Sequence, residues 1–294
     1  RSLEQTLPRD MNTRLLTAWM RGRRGRPARS CPMPCPEAAD NVRAQAINEA
    51  PISCPITAPP TPITVRPSSG RAWARRLLHG AAVAVAALLL LPVVLTGLYR
   101  FVPPPATPLM VIRTFEGDGA SRTWVALDAL PDAMPLAVMA AEDNRFCRHH
   151  GFDWGAIAEA IEDAQAGERL RGASTISMQL TRNLFLWPGG GWPRKALEAL
   201  WTPMVELLLG KQRIIELYLN VAETGRGIFG VEAAARRYYG KSAAALSARQ
   251  AAGIAAILPD PRDWSPDRGY AAHRVPVLLR RMRNIAPLAT CVTG

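Results

Sequence analysis

Lysine is nearly absent from this 294-residue chain: Lys195, Lys211 and Lys241 are the only three, and arginine carries the rest of the positive charge. Cysteine is sparse as well. Cys31, Cys35, Cys54, Cys147 and Cys291 form no CxxC pair and no regular spacing, which excludes a zinc ribbon and a dense disulfide framework. Three of them lie in a Pro-rich N-terminal stretch and read as free thiols. Cys147 and Cys291 can join only if folding brings their Cα atoms within about 7 Å, and nothing in their spacing leads us to expect that pairing. His149 and His150 are adjacent rather than four apart, so they make no HExxH zinc face. No internal repeat is present.

What is present is cationic and unevenly spread. Net charge is +12, and residues 1–76 hold 13 Arg against 5 acids, so +8 of it lies in the first quarter. Such an excess suits nucleic acid or anionic lipid. The next segment decides between them. Residues 77–99, LLHGAAVAVAALLLLPVVLTGLY, carry no formal charge over 23 positions, with Arg75 and Arg76 before them and Arg100 after. A bilayer core needs roughly 20 apolar residues, and core helices of soluble proteins are seldom apolar all round for so long. A cleaved signal peptide would have a shorter apolar region of about 7–15 residues and an A-x-A-like site. We read an uncleaved transmembrane anchor. The flanking arginines, with RGRRGR upstream, put the N-terminus in the cytoplasm and the rest outside. The basic tail is then explained by anionic lipid, and no nucleic-acid partner is expected. Residues 31–69 are rich in Pro and Ser and read as disordered; Met11 is an alternative start.

Beyond FVPPPATP, VIRTFEG and RTWVAL read as short strands or extended arms within a linker, 100–129. Helical periodicity then dominates over 133–145, 154–166, 175–186, 194–209, 211–220, 231–239 and 248–257, punctuated by Gly, Pro and Ser. The outer part is mainly α.

Four stretches carry chemistry. In AAEDNRFCRHHGFDWGAI, Glu142, Phe146 and His149 or His150 share one face if the helix continues that far. Glu142 beside Ala140 and Ala141 is placed to have its pKa raised by burial, as a general base requires; a solvated helix end is the alternative. In RGASTISMQLTRN, Ser174 and Thr175 can cap a helix and offer N–H groups to an anion, with Gln179 and Arg182 one and two turns on. PRKALE sets Glu198 four residues after Arg194, either a surface ion pair or a second carboxylate with two cations for phosphate. KQRIIELYLN places Lys211, Tyr218 and Asn220 on one helix, for the site or for the fold.

In order, ExxFxxHxG (Glu142, Phe146, His149, Gly151), GxSTxxxQ (Gly172, Ser174, Thr175, Gln179), RKxxE (Arg194, Lys195, Glu198) and KxxIxxxYxN (Lys211, Ile214, Tyr218, Asn220) resemble the peptidoglycan glycosyltransferase family. The likeness covers about residues 130–285, and a single anchor suggests the monofunctional biosynthetic transglycosylases. S-x-x-K and K-T-G boxes of the bifunctional relatives are absent, so no transpeptidase activity is expected. The sequence departs at Ala173, Met178, Gly190 and His273, where the family carries Gly, Gln, Arg and Arg. The second Arg of the last motif is kept as Arg274.

The resemblance implies a lysozyme-like, two-lobed α fold with an apolar flap at the membrane over residues 130–285 and a short tail, 286–294. It implies polymerisation of the lipid-linked disaccharide precursor (lipid II) onto a growing lipid-linked glycan. Glu142 and Glu198 are then the catalytic carboxylates. Asp143, Phe146, His149, Ser174, Thr175, Gln179, Arg182, Arg194, Lys195, Lys211, Tyr218, Asn220 and Arg274 surround the substrate, Phe146 and His149 by holding the loop. No obligatory cofactor is implied, although Mg or Mn at the pyrophosphate would be compatible. The partners implied are the bilayer, penicillin-binding proteins and divisome proteins, at a bacterial inner membrane with the catalytic domain periplasmic. A lytic transglycosylase or an inactive wall-synthesis scaffold are the alternatives.

Overall fold

The computed structural model describes residues 70–167 and 172–292; the disorder expected upstream of residue 70 lies outside them. The described part is mainly helical. Helix α1, Gly70–Tyr99, contains the apolar run and extends it at its N-terminal end. Over Trp73–Tyr99 its mean hydropathy is 2.5, and the span is long enough to cross a bilayer. Leu77, Leu78, Val83, Val85 and Leu90 are exposed, which only an apolar surrounding would favour. Its last turns are covered by protein: Pro92, Thr96 and Tyr99 are buried. The Tyr99 carbonyl accepts from Arg213 Nε at 2.8 Å, and Arg100 Nη1 donates to the Leu208 carbonyl at 2.7 Å. Side-chain donors on terminal carbonyls thus tie the anchor to the domain.

VIRTFEG is not extended. Its first five residues belong to α2, Pro108–Phe115, capped by the Thr107 hydroxyl with Pro108 in the first turn. Thr-Pro is a helix start, cap then pre-set φ, and that outweighed the β-branched residues. Of RTWVAL only Arg122 joins a strand, β1 (Ser121–Arg122), which runs parallel to β3 (Ile228–Phe229); β2 (Glu223–Gly225) pairs antiparallel on the other side of β3. Between β1 and β2 come α3 (Ala133–Glu142), α4 (Trp154–Gln165), α5 (Ile176–Phe185) and α6 (Gly191–Val221). The two helices expected over 194–209 and 211–220 are the two halves of α6, divided at Gly210, where φ is 74°. After β3 follow α7 (Val231–Tyr239), α8 (Ala248–Ile257) and α9 (Gly269–Ile285). Helix α9 was not anticipated. Pro276 interrupts its pattern, yet Ala271, Val275, Leu278, Met282 and Ile285 recur at helical spacing and are buried.

The core forms where α3 packs on α8 and α9, and α5 on α6. Helix α8 meets α3 and α9 through Ala251, Ala252, Ala255 and Ala256, all fully buried, so three helices approach closely. Met134, Ile176, Leu180, Ile214 and Leu217 fill the space around them.

Cys147 and Cys291 are bonded, with Cα atoms 5.6 Å apart across 144 residues of sequence. The expectation that they would not pair is corrected: α9 runs back along α3 and delivers the C-terminal segment to the turn after it. A crosslink closing so large a loop is worth about 2–5 kcal/mol. Cys147→Ser combined with Cys291→Ser should therefore lower the melting midpoint of the full chain in detergent by about 5–15 °C. Reductant should do the same to the parent only. An unchanged midpoint in both cases would exclude the crosslink.

Candidate active site

Helix α3 ends at Glu142, three residues before the expected limit, because Asp143 turns away at φ −160°. Glu142, Phe146 and His149 accordingly do not share a helix face. Asp143 leaves the helix to serve another one. Its buried carboxylate accepts the Ile176 N–H at the start of α5 (3.0 Å) and His149 Nε2 at 2.9 Å. His149 Nδ1 accepts the Gly151 N–H at 3.2 Å, which assigns the ring proton to Nε2. Gly151 has φ +98°, and a Cβ there would meet the Thr202 methyl at 3.0 Å. Its carbonyl accepts the Thr175 hydroxyl at 2.6 Å. This lattice fixes the loop after Glu142 to the start of α5.

Glu142 itself is hemmed in by protein, with part of the residue open to a cleft of about 210 Å³ shared with Asn144, Ser174 and Thr175. Burial raises its pKa above the ordinary carboxylate value; a hydrogen bond from Gln179 and the charges of Arg274 and Arg182 oppose that rise, and Asp143 adds to it. Gln179 Nε2 donates to Oε2 at 2.9 Å, and Tyr218 donates to Gln179 Oε1 at 2.8 Å. Among the described residues, no hydrogen bond reaches the other oxygen, Oε1. A desolvated carboxylate with one free oxygen facing a cleft can accept a proton.

On the far side of Gln179 lies a second cleft of about 250 Å³, lined by Arg182, Arg194, Tyr218, Arg113 and Glu223 among others. Arg182 has no carboxylate partner among the described residues. Arg194 and Lys195 are held from below by Glu198, which is 0% exposed and accepts Arg194 Nη1 at 2.7 Å and Lys195 Nζ at 2.6 Å. Lys195 also donates at 2.9 Å to Ser174, a residue of the Glu142 cleft. Cations fixed by a buried acid, with donors left over, suit an anion of high charge density.

Several of the residues expected around the substrate have side chains engaged within the fold. Phe146 is fully buried with Lys211 Nζ 4.4 Å above its ring. Lys211 pairs with Glu206 at 2.7 Å; burial keeps its pKa below the ordinary lysine value, with Glu206 opposing. It is therefore not a free cation of the cleft. Asn220 is fully buried and clamps Val125, accepting its N–H and donating to its carbonyl, both at 2.8 Å. Thr175 is a buried helix cap that donates to Gly151. Arg145 pairs with Asp153 and Glu159, and Arg148 and His150 point to solvent. Arg274 donates to the Ala256 carbonyl at 2.8 Å and reaches Glu142 by charge alone.

Two departures have physical reasons. Met178 is buried and packs at the edge of a mostly apolar groove with Ile157, Ile161 and Trp192, which suits a thioether better than an amide. Gly190 has φ +87°, and a Cβ would meet Trp187 Nε1 at 2.8 Å. Glu206, which takes both Lys211 and the Ser177 hydroxyl, escaped the sequence reading; its five-residue spacing to Lys211 is not a helical pair, and the break at Gly210 makes the contact. The Arg113–Glu223 pair, 110 residues apart, gave no sequence signal.

Neither Glu198 nor Asp143 offers a metal a free oxygen as it stands. Both Glu198 oxygens are taken by cations, and those of Asp143 by His149 and Ile176.

The transglycosylase family profile matches residues 109–283. A biosynthetic peptidoglycan transglycosylase of Rhodospirillum centenum is 51% identical over 222 residues, covering 74% of this chain and 96% of the relative. The namesakes of Caulobacter vibrioides (50% over 193 residues, 65% and 84% covered) and Nitrobacter winogradskyi (50% over 222 residues, 75% and 98% covered) are similar to the same degree. With more than half of the chain matched and nearly full coverage of these relatives, the chain belongs to the biosynthetic peptidoglycan transglycosylase family and is a peptidoglycan glycosyltransferase.

Proposed function

We propose that this enzyme polymerises the lipid-linked disaccharide precursor of peptidoglycan, with Glu142 as general base. The observation that carries the reading is the free, desolvated Glu142 oxygen within reach of the Arg182 charge, with Arg182 and Arg194 lining the neighbouring cleft and Lys195 bonded to Ser174 of the Glu142 cleft. A sugar hydroxyl is a poor nucleophile near neutral pH, so its proton must leave as attack proceeds. The 4-hydroxyl oxygen of one disaccharide attacks C1 of the lipid-linked glycan. The C1–O bond to pyrophosphate breaks, the hydroxyl proton passes to Glu142, and undecaprenyl pyrophosphate leaves as an anion. One displacement without a covalent intermediate inverts C1 and gives a β-1,4 linkage. Arg182, Arg194 and Lys195 stabilise the charge growing on the leaving group. Glu198 touches neither reacting atom in this scheme; it positions Arg194 and Lys195. No step is routed through a metal.

The anchor keeps the clefts near a substrate that cannot leave the bilayer. Arginines before α1 favour a cytoplasmic N-terminus. The Cys147–Cys291 bond independently favours an oxidising compartment for the domain, as the periplasm is.

Labelled lipid-linked disaccharide-pentapeptide incubated with the full chain in detergent should yield long glycan that lysozyme digests. Shortening of preformed glycan, with no polymer from the precursor, would overturn the reading in favour of lytic cleavage.

A further inference from the structure

Helix α9 presents a face that the scheme above leaves unused. Tyr270, His273, Arg274, Val277, Leu278 and Arg281 line a shallow cavity of about 380 Å³. Their spacing of three and four puts them on one side of the helix. Val277 and Leu278 form an apolar floor, and Tyr270 stands edge-on against Trp264 at 5.0 Å as a wall. Seven arginines of the surrounding domain, Arg113, Arg145, Arg194, Arg213, Arg226, Arg236 and Arg262, each meet a carboxylate. Among the described residues, none does so for His273, Arg274 or Arg281. Arg274 spends one N–H on the Ala256 carbonyl, and Arg281 one on the Ala140 carbonyl at 3.5 Å. A guanidinium has five N–H groups in a fork matched to carboxylates, so both keep most of their capacity.

Capping helix ends accounts for one bond from each of these arginines, but not for the cavity. Its position is informative. Arg274 acts by charge on Glu142, and Arg281 sits on the carbonyl two residues before it. The cationic face therefore begins beside the proposed base and leads away from it.

We propose that this face binds the carboxylate-bearing peptide of the incoming lipid-linked disaccharide; the inference rests on the reading of the reaction given above. The hydroxyl that attacks must reach Glu142, and the peptide hangs from the adjacent sugar of the same molecule. Arg274 and Arg281 are seven residues apart, about 10 Å along a helix. That matches about three residues of extended chain at 3.3–3.6 Å each, so both forks can meet carboxylates of one short peptide. Tyr270 and the apolar floor suit its methyl-bearing residues.

The test compares two precursors in detergent with the full chain: one with free peptide carboxylates and one with the same peptide as carboxamides. The parent should show a KM about 5–10-fold lower for the carboxylate form, the effect of one or two exposed charge-assisted contacts. His273→Gln with Arg281→Gln should reduce that preference to about twofold, the part left to Arg274, with kcat within twofold, the melting midpoint unchanged and the KM for the carboxamide unaltered. An equal rise in KM for both precursors, or no preference in the parent, overturns the proposal. An effect of the double variant seen only in vesicles containing phosphatidylglycerol assigns the face to anionic lipid and overturns it as well. If the parent polymerises neither precursor, the reading of the reaction fails separately. Binding of the two precursors by tryptophan fluorescence then decides: a carboxylate preference weakened in the double variant supports the proposal, and equal binding of both precursors by the parent, or a preference unchanged in the variant, refutes it.

Discussion

Glu142→Gln should fold, bind the lipid-linked precursor and polymerise it about 10²–10⁴-fold more slowly, the range a positioned general base contributes. The substitution keeps the shape of the side chain and its contact to Gln179, and it removes only the basic oxygen. Stability should move the other way. Because burial raises the folded-state pKa of Glu142 above its unfolded value, the folded protein holds this proton more tightly. The contribution is thus favourable at low pH and is lost as pH rises through the raised pKa. A neutral Gln escapes that loss, so the melting midpoint near neutral pH should equal or exceed that of the parent. A variant that is both stable and inactive places the defect in chemistry. Near-normal turnover would remove Glu142 from the base role.

Glu198→Gln should be costly for a different reason. Its carboxylate is fully buried and neutralises Arg194, itself mostly buried, and Lys195, about one-third exposed. Removing one partner of a buried pair typically costs about 3–5 kcal/mol, since the remaining charge is stranded. Lys195 can turn to water, which favours the lower end. We expect the midpoint to fall by about 10 °C. Precursor turnover at limiting concentration should drop by about tenfold, mostly through KM, because Arg194 and Lys195 lose their fixed geometry. A melting curve like the parent's would show that the pair does not anchor the cations, and unchanged KM would separate them from pyrophosphate binding.

Much of this architecture was legible from local signals. Helices α7 and α8 fall on their expected limits, 231–239 and 248–257, because their ends are local: Gly240 closes α7, and Ser247 with Gln250 forms a capping box for α8. Where a residue serves a distant partner, local reading fails. Asp143 looked helical by neighbourhood, yet it leaves α3 to receive the Ile176 N–H. Lys211 carried the charge expected of a phosphate ligand, but Glu206 and the Phe146 ring claim it. Asn220 looked equally suited to site or fold, and Val125, 95 residues away, decides for the fold. The disulfide depended on α9, whose periodicity was hidden by Pro276. The motif residues named the chemistry, and only the packing separated those that face the clefts from those that hold them open.

The central claim is that a desolvated Glu142 takes the proton of the attacking hydroxyl, and the pH dependence of kcat/KM tests it most directly. In the parent, activity should rise with pH along a limb whose midpoint lies above the ordinary glutamate value of about 4.3, because the base works only when deprotonated. In Glu142→Gln the residual activity should lack that limb. A limb that persists unchanged in Glu142→Gln would contradict the account.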